Sequence, residues 1–282
     1  MPATLMNGSE LAAGVRARVA EDVRELGRVS LATVLVGDDP ASQVYVGHKH
    51  KDCAEVGIES VDHRLPDDAS EEQVLALVRK LNTDDSIDGF IVQSPVPDQV
   101  SEPRVMEAID PVKDVDGFSP VNVGRLWLGR EGHISATPLG IMELLRAYDV
   151  ELEGADAVIV GRSEIVGKPM AALLLRANAT VTFCHTRTRD MAERTKNADL
   201  LVAAAGRAGL IQPEMVKPGA TVIDVGITRT PEGLVGDVDR AVSEVAGLLT
   251  PVPGGVGPMT RAMLLTNTIR AARVRQGLLA FD

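Results

Sequence analysis

At 282 residues the chain has room for two domains, and 45% hydrophobic with 24% charged residues is an ordinary globular composition that excludes disorder. The net charge of −11 excludes a nucleic-acid surface, which needs a basic stripe. No run approaches the ~18 apolar residues of a membrane span, and the opening M-P-A-T-L-M-N-G-S-E lacks the basic and apolar regions of a signal peptide, so the chain reads as cytoplasmic.

Aromatics are scarce at 2%, so Val, Leu, Ile and Ala must build the cores. Helical spacing of Leu11, Val15, Val19, Val23 and Leu26 predicts a helix over 9–28. A buried strand follows over 29–36, stopped by Gly37-Asp38-Asp39-Pro40. A helix over 41–56 and a strand over 60–65 come next. Ser70 with Gln73 three residues on forms a capping box for a helix running to Leu81. A third strand over 87–93 ends in Ser94-Pro95-Val96-Pro97. This β-α-β-α-β run predicts a parallel sheet with crossover helices.

A short helix over 102–109 leads to a turn-rich loop over 111–120, then a helix over 139–148. Strand-helix alternation restarts at 157–160 and continues with a helix over 165–177, a strand over 180–184 and apolar runs at 200–205 and 220–225. Residues 251–258, P-V-P-G-G-V-G-P, are too rich in Gly and Pro for regular structure, and 259–274 closes the chain as a helix. The fold class is α/β with two domains. An N-terminal β-α-β domain comprises 1–120 plus 262–282, and a Rossmann-like dinucleotide domain comprises 121–261.

The stretch A-V-I-V-G-R-S-E-I-V-G-K-P over 157–169 organises the second domain. An apolar strand, a glycine turn at Gly161 and a helix start form a phosphate cradle, because free N–H groups at a helix N-terminus favour an anion. The dinucleotide fingerprint G-x-G-x-x-G is altered here, with Ser163 at its second glycine and Gly167 as its last. About twenty residues on, where an NAD site carries Asp or Glu for the ribose, stand His185, Thr186, Arg187 and Thr188, with Arg162 in the first turn. Hydroxyls and guanidinium groups suit a 2′-phosphate that a carboxylate would repel. The cofactor indicated is NADP.

Tyr45 and Lys49 are four apart and share a helix face. A phenol beside a partly buried ammonium can lower the lysine pKa and free the amine for proton transfer; a surface lysine stem covering the ring is the plainer alternative. Gln93, at a strand's carboxyl end, is placed to hydrogen-bond the lysine or a substrate amide. Asp114 and Asp116 are too few for a calcium loop, and fit either a carboxylate gripping a heterocycle or an Asx-turn. His48 and His50, two apart, do not share a helix face, so no metal site is expected. Cys53 and Cys184 show no disulfide framework and no base partner. Glycines at 254, 255 and 257 imply close approach to a ligand or to backbone.

Taken together these stretches resemble the bifunctional methylenetetrahydrofolate dehydrogenase/methenyltetrahydrofolate cyclohydrolase family. The motifs are V-G-D-D-P-A-S-Q-V-Y-V-x-x-K from Val36, D-G-F-I-V-Q from Asp88, K-D-V-D-G-F from Lys113 and T-P-L-G from Thr137. They continue with V-G-R-S-x-I-V-G-K-P from Val160, V-T-F-C-H-T-R-T from Val181 and P-V-P-G-G-V-G-P-M-T from Pro251. The resemblance implies a folate-binding domain and an NADP-binding Rossmann domain flanking a cleft, in a homodimer with no nucleic-acid or membrane partner. It implies Lys49, Tyr45 and Gln93 as catalytic residues, and Tyr45, Gln93, Asp116, Pro253, Gly254 and Gly257 against the folate. Gly161, Arg162, Ser163, Thr186, Ile227 and Thr137 fall on the cofactor side.

Three positions depart from the family pattern: Ser94 for leucine, Ala136 for a frequent cysteine, and Thr186 for serine. None removes a catalytic group. Two other readings stay open on the residues alone: an NADP dehydrogenase for a hydroxy or amino acid, and a non-catalytic dinucleotide sensor.

Overall fold

The computed structural model describes residues 2–231 and 233–281. In chain order the elements begin with β1 (Thr4–Leu5), α1 (Gly8–Leu26), β2 (Ser30–Val36), α2 (Pro40–Val56), β3 (Glu59–Leu65), α3 (Glu71–Thr83), β4 (Gly89–Val92), α4 (Glu102–Ala108) and α5 (Pro120–Trp127). They continue with α6 (Ala136–Ala147), β5 (Asp156–Val160), α7 (Gly167–Arg176), β6 (Thr180–Cys184), α8 (Met191–Thr195), β7 (Leu200–Ala203) and β8 (Thr221–Asp224). The last are β9 (Thr228–Thr230), β10 (Gly233–Val235), β11 (Leu248–Leu249) and α9 (Val256–Arg275). Two compact units result, one of residues 13–136 and 261–282 and the other of 1–12 and 137–260.

In the first unit β2 lies between β3 and β4, all parallel. Every residue of β2 and β4 is buried, which accounts for their largely apolar runs, broken in β2 only by Ser30 and Thr33. α2 starts where Asp39 accepts from Ser42 N at 2.7 Å, with Pro40 in the first turn where no N–H is needed. The Ser70–Gln73 capping box is present in both directions. α9 joins this unit from Arg261 onward, held by ion pairs of Arg261 with Asp52, Arg273 with Asp22 and Arg275 with Asp88.

In the second unit six parallel strands run in the order β1-β11-β8-β7-β5-β6, over a core that includes Val158, Val160, Leu201, Ala203 and Val222. Strand order reverses at β5, which has β6 on one side and β7 on the other. In such a sheet a ligand lies beyond the carboxyl ends of the strands at that reversal.

The observed division differs from the expected one at two places. Residues 1–12 belong with the second unit because β1 extends its sheet against β11. Residues 121–136 belong with the first, where Asn122 on α5 donates to Pro111 O and to Asp114 Oδ2, at 2.8 and 2.9 Å. The loop read over 251–258 is also shorter than expected. α9 begins at Val256, and Pro258 sits in its first turn, where a missing N–H is tolerated.

Candidate active site

In the first unit three elements present the sequence-predicted folate residues. α2, the helix that follows β2, carries Lys49. Gln93 follows β4 directly, its N–H donating to Val34 O at 2.8 Å. The Lys49 Nζ donates to Gln93 Oε1 at 3.1 Å, and the Gln93 amide donates onward to Ser94 O at 2.7 Å. The loop over 110–119 runs beside β4: Phe90 N donates to Lys113 O, and Gly89 leaves so little room that a Cβ there would lie 2.3 Å from Val115 Cγ1.

Asp114 and Asp116 have separate roles. The buried Asp114 carboxylate accepts from Gly117 N, Phe118 N, Ser119 N and Asn122 Nδ2, so it staples the loop to itself. Burial lifts its pKa from 3.8 to about 6 against those four donors. Because the folded value lies above the unfolded one, its contribution to stability falls as pH rises through that window. Asp114→Ala strands these donors and should cost about 3 kcal/mol or more, read as a lowered urea midpoint. Lys113 is structural as well, its Nζ donating to Leu81 O and Asp84 O at the end of α3.

Asp116 accepts no hydrogen bond among the described residues and faces Lys49 electrostatically. Burial raises the Asp116 carboxyl, which Lys49 opposes, and lowers the Lys49 ammonium, which Asp116 and Cys53 oppose. Desolvation disfavours the charge on each group, and the opposite charge of the other offsets part of that shift. The sequence made this shift depend on a partly buried Tyr45–Lys49 pair; desolvation of Lys49 is the leading cause, and Tyr45 stands exposed one turn earlier on α2. Cys53 and Cys184 are buried, with thiols raised by burial, Cys53 to about 12, so neither serves as a nucleophile. His50 Nδ1 pairs with Ser60 Oγ at 3.2 Å. No described group of three or more His, Cys, Asp or Glu is arranged to hold a metal. At the departure from family pattern, Ser94 donates its hydroxyl to Glu102.

In the second unit the turn after β5 is a cradle that side chains would fill. A Cβ on Gly161, whose φ is +137°, would lie 2.2 Å from Ala204 O; one on Gly167 would lie 2.6 Å from Gly161 O. Ser163, at the altered glycine position, accepts from Val166 N and Gly167 N at 3.1 and 3.3 Å and shapes the start of α7. Gly161 N donates to Cys184 O at 2.9 Å, which stitches the turn bearing Arg162 to the end of β6. There His185 N donates to Thr188 Oγ1, and Arg162, Thr186 and Arg187 remain exposed. Close backbone approach and these polar side chains fit a dinucleotide with a 2′-phosphate, while the first N–H groups of α7 are taken by Ser163 and Val166 rather than left free for the phosphate.

Ile227 is exposed in the segment following β8. Asp237 fixes the neighbouring loops, its Oδ2 accepting from Ala205 N and Gly206 N at 2.6 and 2.8 Å. Past β11, the loop bearing Pro253 and Gly254 lies against the chain's first turn. Ser9 N donates to Gly254 O at 3.0 Å, and a Cβ on Gly8 would lie 1.9 Å from Gly255 O. Backbone approach explains Gly8 in this way, and Gly255 as well, where a Cβ would lie 2.7 Å from Pro251 O, whereas a Cβ on Gly257 meets nothing within 4 Å. Thr137 and Thr260 join their hydroxyls at 2.9 Å. Sequence reasoning did not single out Asp237, and it offered an Asx-turn for the K-D-V-D-G aspartates without separating Asp114 from Asp116, because both Asp237 and Asp114 act through groups that only the fold brings near.

A glycine cradle at the reversal of a parallel sheet, with a second α/β unit holding a desolvated lysine and carboxylate, defines a two-domain dinucleotide-dependent enzyme. Comparison with known proteins supplies the family. The catalytic-domain model of tetrahydrofolate dehydrogenase/cyclohydrolase matches residues 6–116, and its NAD(P)-binding-domain model matches 135–276. The chain is 55% identical to a bifunctional protein FolD of Salinibacter ruber over 287 residues, covering 97% of each chain. A FolD methylenetetrahydrofolate dehydrogenase/cyclohydrolase structure from Campylobacter jejuni superimposes with a TM-score of 0.95 at 49% identity, covering 96% of this chain and 99% of that one. A FolD structure from Trypanosoma brucei, complexed with NADP and an inhibitor, gives 0.92 at 35% identity, covering 99% and 100%. The chain belongs to the tetrahydrofolate dehydrogenase/cyclohydrolase family, and it is an enzyme of two α/β domains, one catalytic and one NAD(P)-binding.

Proposed function

We propose that Lys49, hydrogen-bonded to Gln93 and charge-coupled to Asp116, is the proton-transfer centre for the second of two consecutive reactions on one folate. The first is NADP-dependent oxidation of 5,10-methylenetetrahydrofolate to 5,10-methenyltetrahydrofolate. The second is hydrolysis of that cation to 10-formyltetrahydrofolate. Bound NADP supplies a hydride acceptor, held by Gly161, Arg162, Ser163 and Thr186, with Thr137 and Ile227 completing its site.

The oxidation needs no strong acid or base, because a nitrogen lone pair pushes in as hydride leaves the methylene carbon. What the protein supplies is alignment. Asp116, with no internal hydrogen bond, is free to accept N–H groups of the pterin. The exposed Tyr45 ring stands on the same helix face as Lys49 and positions the folate. Pro253, Gly254 and Gly257 add backbone against the ligands.

Hydrolysis does need proton transfer. Water attacks the methenyl carbon while the Lys49 amine takes its proton. The carbon–N5 bond then breaks as N5 is protonated, and one proton in net is released. The Lys49–Gln93 hydrogen bond carries this reading, and desolvation lowers the ammonium pKa in the direction that a proton acceptor needs. A homodimer in the cytoplasm belongs to the same proposal.

The direct test follows cofactor reduction, methenyl product and formyl product separately, with NADP and with NAD. Reduction without formyl product would sink the second activity. A pH prediction comes from the same pair. Ring opening should gain rate as Lys49 deprotonates, below the ordinary lysine value of 10.5, and Asp116→Asn should move that limb to lower pH by removing the charge that holds the proton on Lys49. A limb that moves upward in a kcat profile contradicts the coupling.

A further inference from the structure

We infer that Asn267, on α9, is a positioning residue for the folate site, acting through the backbone of Asp116. This rests on the reading of Asp116 given above. Asn267 is fully buried. Both hydrogens of its side-chain amide are committed to backbone carbonyls, Val115 O at 2.7 Å and Ile134 O at 2.8 Å. The first of these carbonyls belongs to the peptide that leads into Asp116.

The clamp acts on the carbonyl of Val115, whose N–H is bonded to Lys113 O and whose side chain packs on Gly89. Downstream, Gly117 is fixed twice. Its N–H donates to Asp114 Oδ1 at 3.1 Å, and at φ +71° it presses on the 134–135 backbone, where a Cβ would lie 2.7 Å from Ile134 C. Upstream, Asn267 ties Val115 to that same Ile134 segment. Asp116 is thereby suspended between two restraints while its own carboxylate stays free for a ligand. A side chain held this way is aimed by its neighbours' hydrogen bonds, and a shift of about 1 Å at such a position can cost a hundredfold in activity.

The amide has two donors in a fixed fork, so leucine fills the space with no donor and serine supplies one. The experiment compares wild type, Asn267→Leu, Asn267→Ser and Asp116→Asn in methenyltetrahydrofolate ring opening across pH, with NADP binding and thermal melting measured in parallel. Asn267→Leu should raise the folate KM about tenfold or more and shift the basic limb of kcat downward, toward that of Asp116→Asn, with NADP affinity unchanged. Asn267→Ser should fall between, and it carries the test if the leucine variant does not fold. A lower melting temperature with wild-type KM and pH limb, while Asp116→Asn shifts both, overturns the positioning role. Wild-type values in Asp116→Asn itself instead overturn the reading of Asp116.

Discussion

Lys49→Ala loses formation of 10-formyltetrahydrofolate by about a hundredfold to ten-thousandfold, the usual contribution of a positioned proton-transfer group, and leaves NADP binding nearly unchanged. The physical reason is the division of labour between the two steps. Hydride departure is driven by a nitrogen lone pair, whereas water attack on the methenyl carbon needs somewhere for a proton to go. Lys49 is the half-buried amine at that position, its ammonium lowered by desolvation and its Nζ oriented by Gln93 at 3.1 Å. The check is a single-turnover assay that separates methenyl from formyl product, alongside calorimetric titration of NADP. Equal losses in ring opening and NADP binding would mean that the lysine supports the fold rather than the chemistry.

Arg162→Ala weakens NADP by roughly ten- to a hundredfold, the size of a lost charge-assisted contact, and changes NAD little. Only NADP carries the 2′-phosphate. Arg162 lies exposed in the turn that Gly161 N ties to Cys184 O, next to the exposed Thr186 and Arg187 at the end of β6. The measurement is the dissociation constant of each dinucleotide for wild type and variant. Parallel weakening of both would place the arginine on the pyrophosphate or make it purely structural.

The parts of the fold that were legible in the sequence are those where local chemistry and tertiary position agree. The apolar runs became β2, β4, β5 and β7 because buried parallel strands need apolar residues on both faces. Ser70 with Gln73 marked the start of α3 because a capping box is a local hydrogen-bond circuit. β1 and β11 were not legible. Each has two residues, and they exist through pairing with strands far away in sequence. α5 was missed because Gly124 interrupts its pattern, and its anchoring through Asn122 is a tertiary event.

The site divides along the same line. Lys49, Gln93 and the Gly161 turn follow strand ends, a position that pattern reading can locate. The two aspartates of K-D-V-D-G are chemically alike in sequence. Only the loop's own N–H groups, collected by Asp114, show which carboxylate is spent on structure and which is left over. Asn267 carried no signal, since a polar residue inside a helical pattern gives no hint of carbonyls more than a hundred positions earlier.

The pairing of Thr4–Leu5 with Leu248–Leu249 also sets an order of assembly during synthesis. Thr4–Leu5 must wait for more than two hundred further residues before their partner strand exists, and the turn at Gly8 waits equally for Gly255. The edge strand of the nucleotide sheet therefore forms late, and closing so long a loop carries an entropic cost that the local pairing of β2 with β3 and β4 does not share, although α9 reaches that first unit later still. A nascent chain stalled before residue 248 should hold a protease-resistant sheet of β2, β3 and β4 while its amino terminus is still open to cleavage.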